Sequence, residues 1–259
     1  MNTVKGTKIN RLIQAWPEGT VKTSVELAAL GVSNSLTQRY IKDGWLVSVG
    51  RGAFARAYGK VSRLGALLGL QYAKKPTVHA GGRTALELLG YSHYAAMDDR
   101  GFFLFGPPKY KLPGWFRTLF QNQDIVFCAS STLPYSLAAS FTQYDAGAFT
   151  VTISAPERAV LELLYHVPTL VGFDEALQLV GSMGTLRHGV MQELLERCTN
   201  IKVKRLFLYM ARESGHRWYK ELNREAVDLG SGKRVVVKNG KLDKEFQLTV
   251  PNSSEGGLF

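Results

Sequence analysis

The residues with the most specific chemistry lie in one short segment near the N-terminus. Asn34 and Gln38 carry amides and Arg39 carries a guanidinium, the groups that hydrogen-bond to adenine and guanine edges in the DNA major groove. Hydroxyl and ammonium groups, which suit phosphates, accompany them at Ser33, Ser35, Thr37 and Lys42. Candidates for contacts with the backbone or the adjacent minor groove flank the segment at Lys22, Thr23, Arg51 and Arg56. The segment therefore predicts a surface that reads DNA.

The distribution of charge favours the same interpretation. The chain has 259 residues, with 32 Lys and Arg against 21 Asp and Glu, and its net charge is +11. Residues 1–75 carry +9 and residues 202–245 carry +6, whereas residues 76–201 carry −3. Concentrated positive charge attracts a polyanion, most often nucleic acid, through the release of counterions. A solvated basic face is the alternative that charge alone leaves open.

Two short helices must position the DNA-reading side chains, and local signals predict both. The first spans residues 25–30 and the second residues 34–43, each after a hydroxyl cap and before a glycine: Thr23 or Ser24 with Gly31, and Ser33 with Gly44. An earlier amphipathic helix, which stops at residues 17–19, carries Ile9, Leu12, Ile13 and Trp16. Two short helices joined by a tight turn containing Gly indicate a helix-turn-helix.

The second helix of this pair has one apolar side and is followed by a hairpin. Leu36 and Tyr40, with Ile41 as a third candidate, lie at core spacing, which leaves the polar residues mainly on the remaining surface. Strands over 45–49 and 53–58 surround the turn Gly50-Arg51-Gly52. A hairpin in this place is a wing, so residues 1 to about 60 predict a winged helix-turn-helix.

The rest of the chain predicts a larger α+β domain. We place the winged helix-turn-helix domain at 1–75, with a boundary at Lys74-Lys75-Pro76, the α+β domain at 76–251 and a flexible tail at 252–259. Predicted strands cover 77–80, 101–106, 124–129 and 149–153, and predicted helices cover 83–90, 158–165, 174–180, 185–198 and 203–210. Ser154 and Glu157 predict a capping box before the helix at 158–165. Asn239-Gly240 predicts a hairpin turn between strands 235–237 and 246–250.

No pattern in this domain predicts a catalytic, metal or cofactor site. The five histidines are scattered without the paired spacing of a metal-binding helix. Cys128 and Cys198 cannot make a disulfide framework and have the surroundings of core residues. Gly230-Ser231-Gly232-Lys233 lacks the upstream glycine and following hydroxyl of a phosphate-binding loop. We therefore expect a protein without enzymatic activity or cofactor, and, without an apolar signal peptide or membrane-spanning run, a cytoplasmic one.

A second basic stretch has two interpretations. Its cations are Lys202, Lys204, Arg205, Arg212, Arg217, Lys220, Lys233 and Arg234. Apolar residues on the same helical segment fit a buried stripe, so we interpret the charges first as a solvated face: Val203, Leu206, Phe207 and Met210. A second surface for a polyanion, RNA or an acidic protein is the alternative.

Several stretches together resemble the AbiEi family, the antitoxins of type IV abortive-infection toxin–antitoxin pairs. In the N-terminal region, Leu30-Gly31-Val32-Ser33, Gly44-Trp45-Leu46 and the wing tip are similar to that family's winged helix-turn-helix. The similarity continues through VHAGGRTALELLGYSH and SAPERAVLELL. It extends through VKRLFLYMARESGHRWYKELN and DLGSGKRVVVKNGKLDKEFQLTVP, and so covers about residues 20–251.

The resemblance implies two functions. Such proteins repress their own operon by binding inverted repeats in its promoter through the N-terminal module. They also neutralise a nucleotidyltransferase-like toxin encoded beside them, an effect assigned to the C-terminal domain and described without a stable complex. Carried onto this chain, the DNA-reading residues are those of 33–42 with Arg51, and the antitoxin candidates lie between 202 and 241, where the family offers no residue-level motif.

Two other classes of function stay open from the sequence. A one-component winged-helix regulator would bind a small ligand in its large domain, and an apolar pocket within residues 76–170 would favour it. A DNA-modifying enzyme would use the winged helix for targeting, and an acidic cluster in a cleft would favour that.

Overall fold

The computed structural model of the protein describes residues 8–72, 78–91, 101–120 and 125–252. Its helices are α1 Lys8–Gln14, α2 Ser24–Ala29, α3 Asn34–Lys42, α4 Arg63–Tyr72, α5 Gly82–Leu88, α6 Gly114–Leu119, α7 Pro156–Tyr165, α8 Phe173–Ser182, α9 His188–Arg197 and α10 Ile201–Glu213. Its strands are β1 Lys22–Thr23, β2 Leu46–Gly50, β3 Ala53–Arg56, β4 His79–Ala80, β5 Phe102–Gly106, β6 Ile125–Ala129, β7 Phe141–Asp145, β8 Thr150–Ser154, β9 Arg234–Val235, β10 Lys241–Asp243 and β11 Leu248–Val250. The predicted α+β class is confirmed.

Two compact units divide these elements. Of the described residues, the first unit holds 8–72, 78–80, 101–120, 125–129 and 143–153. The second unit holds 81–91, 130–142 and 154–252. The boundary predicted at 74–76 lies outside the described residues, as does nearly all of the predicted tail. No helix in the described part of the chain combines the length and apolar character that a bilayer-spanning segment requires.

The helices of the N-terminal module begin at side-chain caps. The Oγ1 atom of Thr23 accepts the N–H of Glu26 at 3.3 Å, and the N–H of Thr23 donates to Oε2 of Glu26 at 2.8 Å. This capping box satisfies backbone donors that the first turn of α2 leaves unpaired. Ser33 caps α3 in the simpler way, because its Oγ accepts the N–H of Leu36 at 3.3 Å.

The same backbone motif ends α2 and α3. Gly31 and Gly44 follow them with φ angles of 74° and 76°, a region that glycine enters without a Cβ clash. Each glycine and its successor donate to carbonyls of the last turn in the Schellman pattern, with Gly31 to Ala28, Val32 to Leu27, Gly44 to Ile41 and Trp45 to Tyr40. These closures make the turn between the helices tight, and the predicted helix-turn-helix is confirmed.

A small sheet and one apolar cluster complete the module. β3 lies between β2 and β1 and pairs antiparallel with both. The predicted wing is therefore present, and β1, which the sequence did not indicate, supports it. The core cluster joins residues from every part of the module: Leu12, Trp16, Leu27, Val32, Tyr40, Leu46 and Phe54. Burial of these side chains at about 25 cal/mol per Å² fixes the orientation of α3.

The rest of the first unit is built on a five-stranded mixed sheet. Its strand order is β6-β5-β4-β8-β7, with β4 antiparallel to β5 and parallel to β8. Gln71 of α4 acts as an extra backbone partner at the centre. Its Nε2 donates to the carbonyls of Val78 and Thr152 at 2.9 and 2.8 Å, and its Oε1 accepts the N–H of Thr152 at 2.9 Å.

Helix α7 forms the centre of the second unit. Arg158 and Glu162 make an ion pair of 2.8 Å within it, with both side chains almost fully buried. The guanidinium also lies over the rings of Tyr135 and Phe141, at 4.9 and 4.5 Å from their centroids. Such a pair is tolerated in the interior only because its polar atoms are satisfied.

The predicted capping box of α7 is wrong. Ser154 is the last residue of β8 and its Oγ donates to Oε2 of Glu162 at 2.6 Å, so it does not cap the helix. Ala155 stands at the cap without a side-chain bond. Glu157 instead pairs with Arg187 at 2.7 Å.

The predicted hairpin near the C-terminus is also wrong. β11 pairs antiparallel with β10 and parallel with β9, in the order β10-β11-β9. Residues 241–243, which the sequence left in the connection, supply the antiparallel partner of β11. Asn239, with a φ of 60°, turns the chain before this strand rather than within a hairpin of β9 and β11.

Candidate nucleic-acid interface

Helix α3 presents a continuous polar face. Tyr40 is buried in the module's core and Leu36 packs against it, as the sequence predicted. The opposite side carries five exposed polar side chains: Asn34, Ser35, Gln38, Arg39 and Lys42. Amides, a guanidinium, a hydroxyl and an ammonium thus project together from a short helix whose ends and core side are fixed.

Two hydroxyls predicted for this face have structural roles. Ser33 is exposed, but its Oγ caps α3 and lies 3.0 Å from the Oγ of Ser35. Thr37 is only 2% exposed, and its Oγ1 donates to the carbonyl of Ser33 at 3.0 Å. The expectation that Thr37 lies on the surface is therefore wrong. It is three residues before Tyr40 and faces the core with it.

Arg39 has one weak partner on its own helix. Its Nε lies 3.6 Å from Oδ2 of Asp43, and the two side chains are 76% and 46% exposed. Ion pairs this exposed contribute about 0–1 kcal/mol. The pair therefore orients the guanidinium without preventing its contact with a base or phosphate.

Arg51 occupies the tip of the wing. It is exposed between Gly50 and Gly52, whose φ angles are 146° and 73°. The carbonyl of Gly52 accepts the N–H of Ser24 at 2.9 Å, which ties the tip to the start of α2. An exposed guanidinium on a fixed turn is suited to a phosphate or a minor groove.

Three predicted contact residues make contacts within the module. The Nζ of Lys22 lies 3.5 Å from Oε1 of Glu26 and over the rings of Trp16 and Tyr72, and its side chain is only 15% exposed. Burial raises the pKa of Glu26, although its bonds with Thr23 and the charge of Lys22 act in the other direction.

Arg56 has a comparable role, because its Nη1 donates to the carbonyl of Trp16 at 3.2 Å. Lys22, Thr23 and Arg56 are therefore partly exposed and also make contacts within the module. The predicted contact residues that are exposed are Ser33, the five α3 side chains and Arg51.

Two basic residues of α10 are buried rather than exposed. Lys204 and Arg205 are 3% and 2% exposed, so they form neither the solvated face nor the polyanion surface that the sequence left open. The Nζ of Lys204 donates to the carbonyl of Asp228 at 2.7 Å. The guanidinium of Arg205 donates to four carbonyls, at 2.6–3.2 Å: Leu229, Gly230, Gly232 and Gln247.

Two further cations of this stretch also have internal partners. The Nζ of Lys202 donates to the carbonyls of Tyr165 and Val167 at 3.2 and 2.6 Å, and burial lowers its pKa. Arg212 contacts Asp243 at 2.6 Å, and also Glu213 and Glu245, which raises its pKa although burial opposes the charge. The cations of this stretch that are exposed are Arg217, Lys220 and Lys233, and Arg234 is partly exposed.

One contact close to the wing could not be predicted from the sequence. Trp115 of α6 packs against Gly50 so closely that a Cβ on Gly50 would lie 2.7 Å from the Cβ of Trp115. No local pattern could predict a contact between residues 65 positions apart in sequence. Within the residues that the structure describes, no group of three His, Cys, Asp or Glu side chains is placed to hold a metal ion.

Comparison with known proteins gives two family matches and a fold. Residues 5–97 match the family described as transcriptional regulator, AbiEi antitoxin N-terminal domain, and residues 99–251 match transcriptional regulator, AbiEi antitoxin, type IV TA system. The crystal structure of the RV2827C protein from Mycobacterium tuberculosis is similar in fold, with a TM-score of 0.60 and 15% identity over 93% of this chain and 88% of that one. The comparison with curated proteins gave no match. Because the two family matches together span nearly all of the sequence, the chain belongs to the AbiEi family of antitoxin transcriptional regulators.

Proposed function

We propose that the protein represses its own operon by binding inverted repeats in the promoter, and that it also neutralises a nucleotidyltransferase-like toxin encoded beside it. The observation that carries the first half is the exposed polar face of α3. Gln38 and Asn34 can pair with adenine and Arg39 with guanine, and each good bidentate contact discriminates by about 1–3 kcal/mol.

The surroundings of α3 support this role. The cap at Ser33, the glycine closure after Lys42 and the buried Tyr40 hold the helix in one orientation before DNA arrives. A preorganised helix loses little conformational freedom on binding, so more of the contact energy is retained. Lys42 and Arg51 add phosphate contacts that do not depend on sequence.

A titration on the operon's own upstream DNA tests this half. The full chain is titrated against that DNA and against a scrambled duplex, by gel shift, at 50 and 200 mM salt. We expect the upstream DNA to bind at least 10³-fold more tightly, the lower end for specific over non-specific binding. Equal affinity for both duplexes, lost at the higher salt, would mean that the basic charge binds DNA without reading it.

Membership of the family supports the antitoxin function, and the structure reduces the number of cations that could serve it. Of the eight cations that the sequence assigned to an antitoxin surface, Lys202, Lys204, Arg205 and Arg212 are held by internal partners. We assign the antitoxin function to the second unit, and the cations still available to it are Arg217, Lys220 and Lys233, with Arg234 half-buried.

Co-expression tests the antitoxin half separately. The neighbouring toxin gene is expressed from an unrelated promoter, so that repression of the native operon cannot influence the result. The protein and its Arg39→Ala/Lys42→Ala variant should both restore growth, because those side chains lie on the DNA face. No recovery with either protein would remove the antitoxin assignment, and recovery with the wild type alone would place the effect on α3.

A further inference from the structure

A pocket in the first unit has the composition of a small-molecule site. It has a volume of about 500 Å³ and lies between α6, β6 and the residues that precede α6. Apolar side chains make most of its wall, among them Leu112, Phe116 and Phe127. Its volume falls within the range of about 300–1,000 Å³ that small-molecule sites occupy. It also falls within the region where a pocket would favour a ligand-responsive regulator.

The charged side chains that line the pocket, among the described residues, are both cations. Lys111 and Arg117 line it, and the lining residues that the structure describes include no carboxylate. Tyr110 stands against Phe127 with ring centroids 6.1 Å apart, and burial raises its pKa, so its hydroxyl stays protonated and can donate a hydrogen bond. A ligand with a flat apolar body and one acidic group would meet all of these side chains.

The same helix joins the pocket to the wing. Phe116 and Arg117 face the pocket, and Trp115, the residue before them, packs against Gly50. The rings of Trp115 and Phe116 lie edge to face with centroids 5.6 Å apart. Because Gly50 directly precedes Arg51, a displacement of α6 would be transmitted to the tip of the wing.

We propose that this pocket binds an aromatic carboxylate or sulfonate and that its occupation changes the affinity of the winged module for DNA. The first half stands on the pocket alone, and the second rests on the proposed function. A ligand shifts the equilibrium between two conformations only as far as its affinities for them differ. If the ligand changes the affinity for DNA by some factor, DNA must change the affinity for the ligand by the same factor.

Fluorescence titration tests the pocket without DNA. The probes are 8-anilinonaphthalene-1-sulfonate and N-phenyl-1-naphthylamine, which share an aromatic body and differ in the sulfonate. We expect the full chain to bind the sulfonate about tenfold more tightly, and Lys111→Ala and Arg117→Ala to remove this preference. The matched controls Lys60→Ala and Arg11→Ala, at exposed cations outside the pocket, should keep it. Equal binding of the two probes, or equal losses in pocket and control variants, would overturn the site.

Titration of upstream DNA that carries a red fluorophore, with and without saturating 8-anilinonaphthalene-1-sulfonate, tests the coupling between the pocket and DNA binding. A change in Kd of about threefold or more in the wild type, absent in Arg117→Ala, is expected. An unchanged Kd in a protein that binds both the sulfonate and its DNA would overturn the coupling. A protein that binds the sulfonate but has no preference for its upstream DNA would contradict the proposed function and leave the pocket standing.

Discussion

Helices α3 and α10 of the two basic regions place cations in opposite environments. On α3, Arg39 is 76% exposed and Lys42 is exposed beside it. On α10, Lys204 and Arg205 are 3% and 2% exposed and donate to backbone carbonyls. Both regions are strongly positive in sequence, so local charge alone does not identify a surface that binds nucleic acid.

The difference follows from the hydrogen-bond acceptors that surround each helix. On α3, the side chains of Gln38, Arg39 and Lys42 are exposed to solvent. The residues after α10 include strands of only two or three residues, and the carbonyls of Leu229 and Gly232 lie outside these strands. Each of these carbonyls accepts a hydrogen bond from the buried side chain of Arg205, and a guanidinium supplies five N–H groups in a fixed geometry. Arg205 therefore contributes to folding rather than to binding.

Removing that guanidinium should give the largest effect. Arg205→Met should lower the free energy of unfolding by about 3 kcal/mol or more, because four hydrogen bonds from a charged donor are lost. Urea unfolding measures the change, with Arg217→Met as the control at an exposed position. If Arg205→Met does not fold, Arg205→Lys gives a smaller loss. A loss equal to that of the control would mean that the buried contacts do not stabilise the fold.

On α3, removal of a cation should weaken DNA binding rather than stability. Arg39→Ala should weaken binding to the upstream DNA by about 1–3 kcal/mol and relax the choice of base at one position. The stability of the fold should change by less than about 0.5 kcal/mol, since the pair with Asp43 is exposed. Anisotropy titrations on a set of single-base operator variants measure both the affinity and the lost specificity. Unchanged affinity would remove Arg39 from the reading face.

Thr37 lies on the buried side of α3, opposite the face that we propose reads DNA. Thr37→Ala should reduce the free energy of unfolding by about 1 kcal/mol, because the bond from its Oγ1 to the carbonyl of Ser33 is lost. Affinity for the upstream DNA, measured well below the melting temperature, should be that of the wild type. A loss of affinity as large as that of Arg39→Ala would show that the buried hydroxyl contributes to reading after all.

Arg51 should show the smaller signature of a phosphate contact. Arg51→Ala should weaken binding to all DNA sequences alike and lower the slope of log K against log salt by about 0.9. Titrations of upstream and scrambled DNA at four salt concentrations give the slope. A loss confined to one base position would instead assign Arg51 to base recognition.

Acid should weaken the second unit slightly. Burial, with the charges of Lys202 and Arg83, lowers the pKa of His166 below 6.5, against the opposing effect of Glu162. The unfolded chain therefore takes up this proton first, and stability that is complete above pH 6.5 is lost as the pH falls toward the folded-state pKa. Urea unfolding between pH 7.5 and 5 should show a smaller slope in His166→Gln. An unchanged slope would exclude His166 as its source.

Local signals account for what the sequence predicts correctly. Caps at Thr23 and Ser33, glycines at 31 and 44 and the wing turn each act over a few residues, and all of them recur in the structure. The burial of Arg205 depends on carbonyls 24 to 42 residues away, so no local window could show it. Helix α6 lacks a side-chain cap and is only six residues long, and its position depends on the burial of Trp115 and Phe116.

A charge-matched pair of variants tests the central claim most directly. Arg39→Ala/Lys42→Ala and Arg217→Ala/Lys220→Ala each remove one arginine and one lysine at exposed positions, the first pair on α3 and the second near the end of α10. Titrated against the upstream DNA at one salt concentration, the α3 variant should lose at least tenfold in affinity and the control less than twofold. Equal losses in the two variants would show that the protein binds DNA through its total charge rather than through α3.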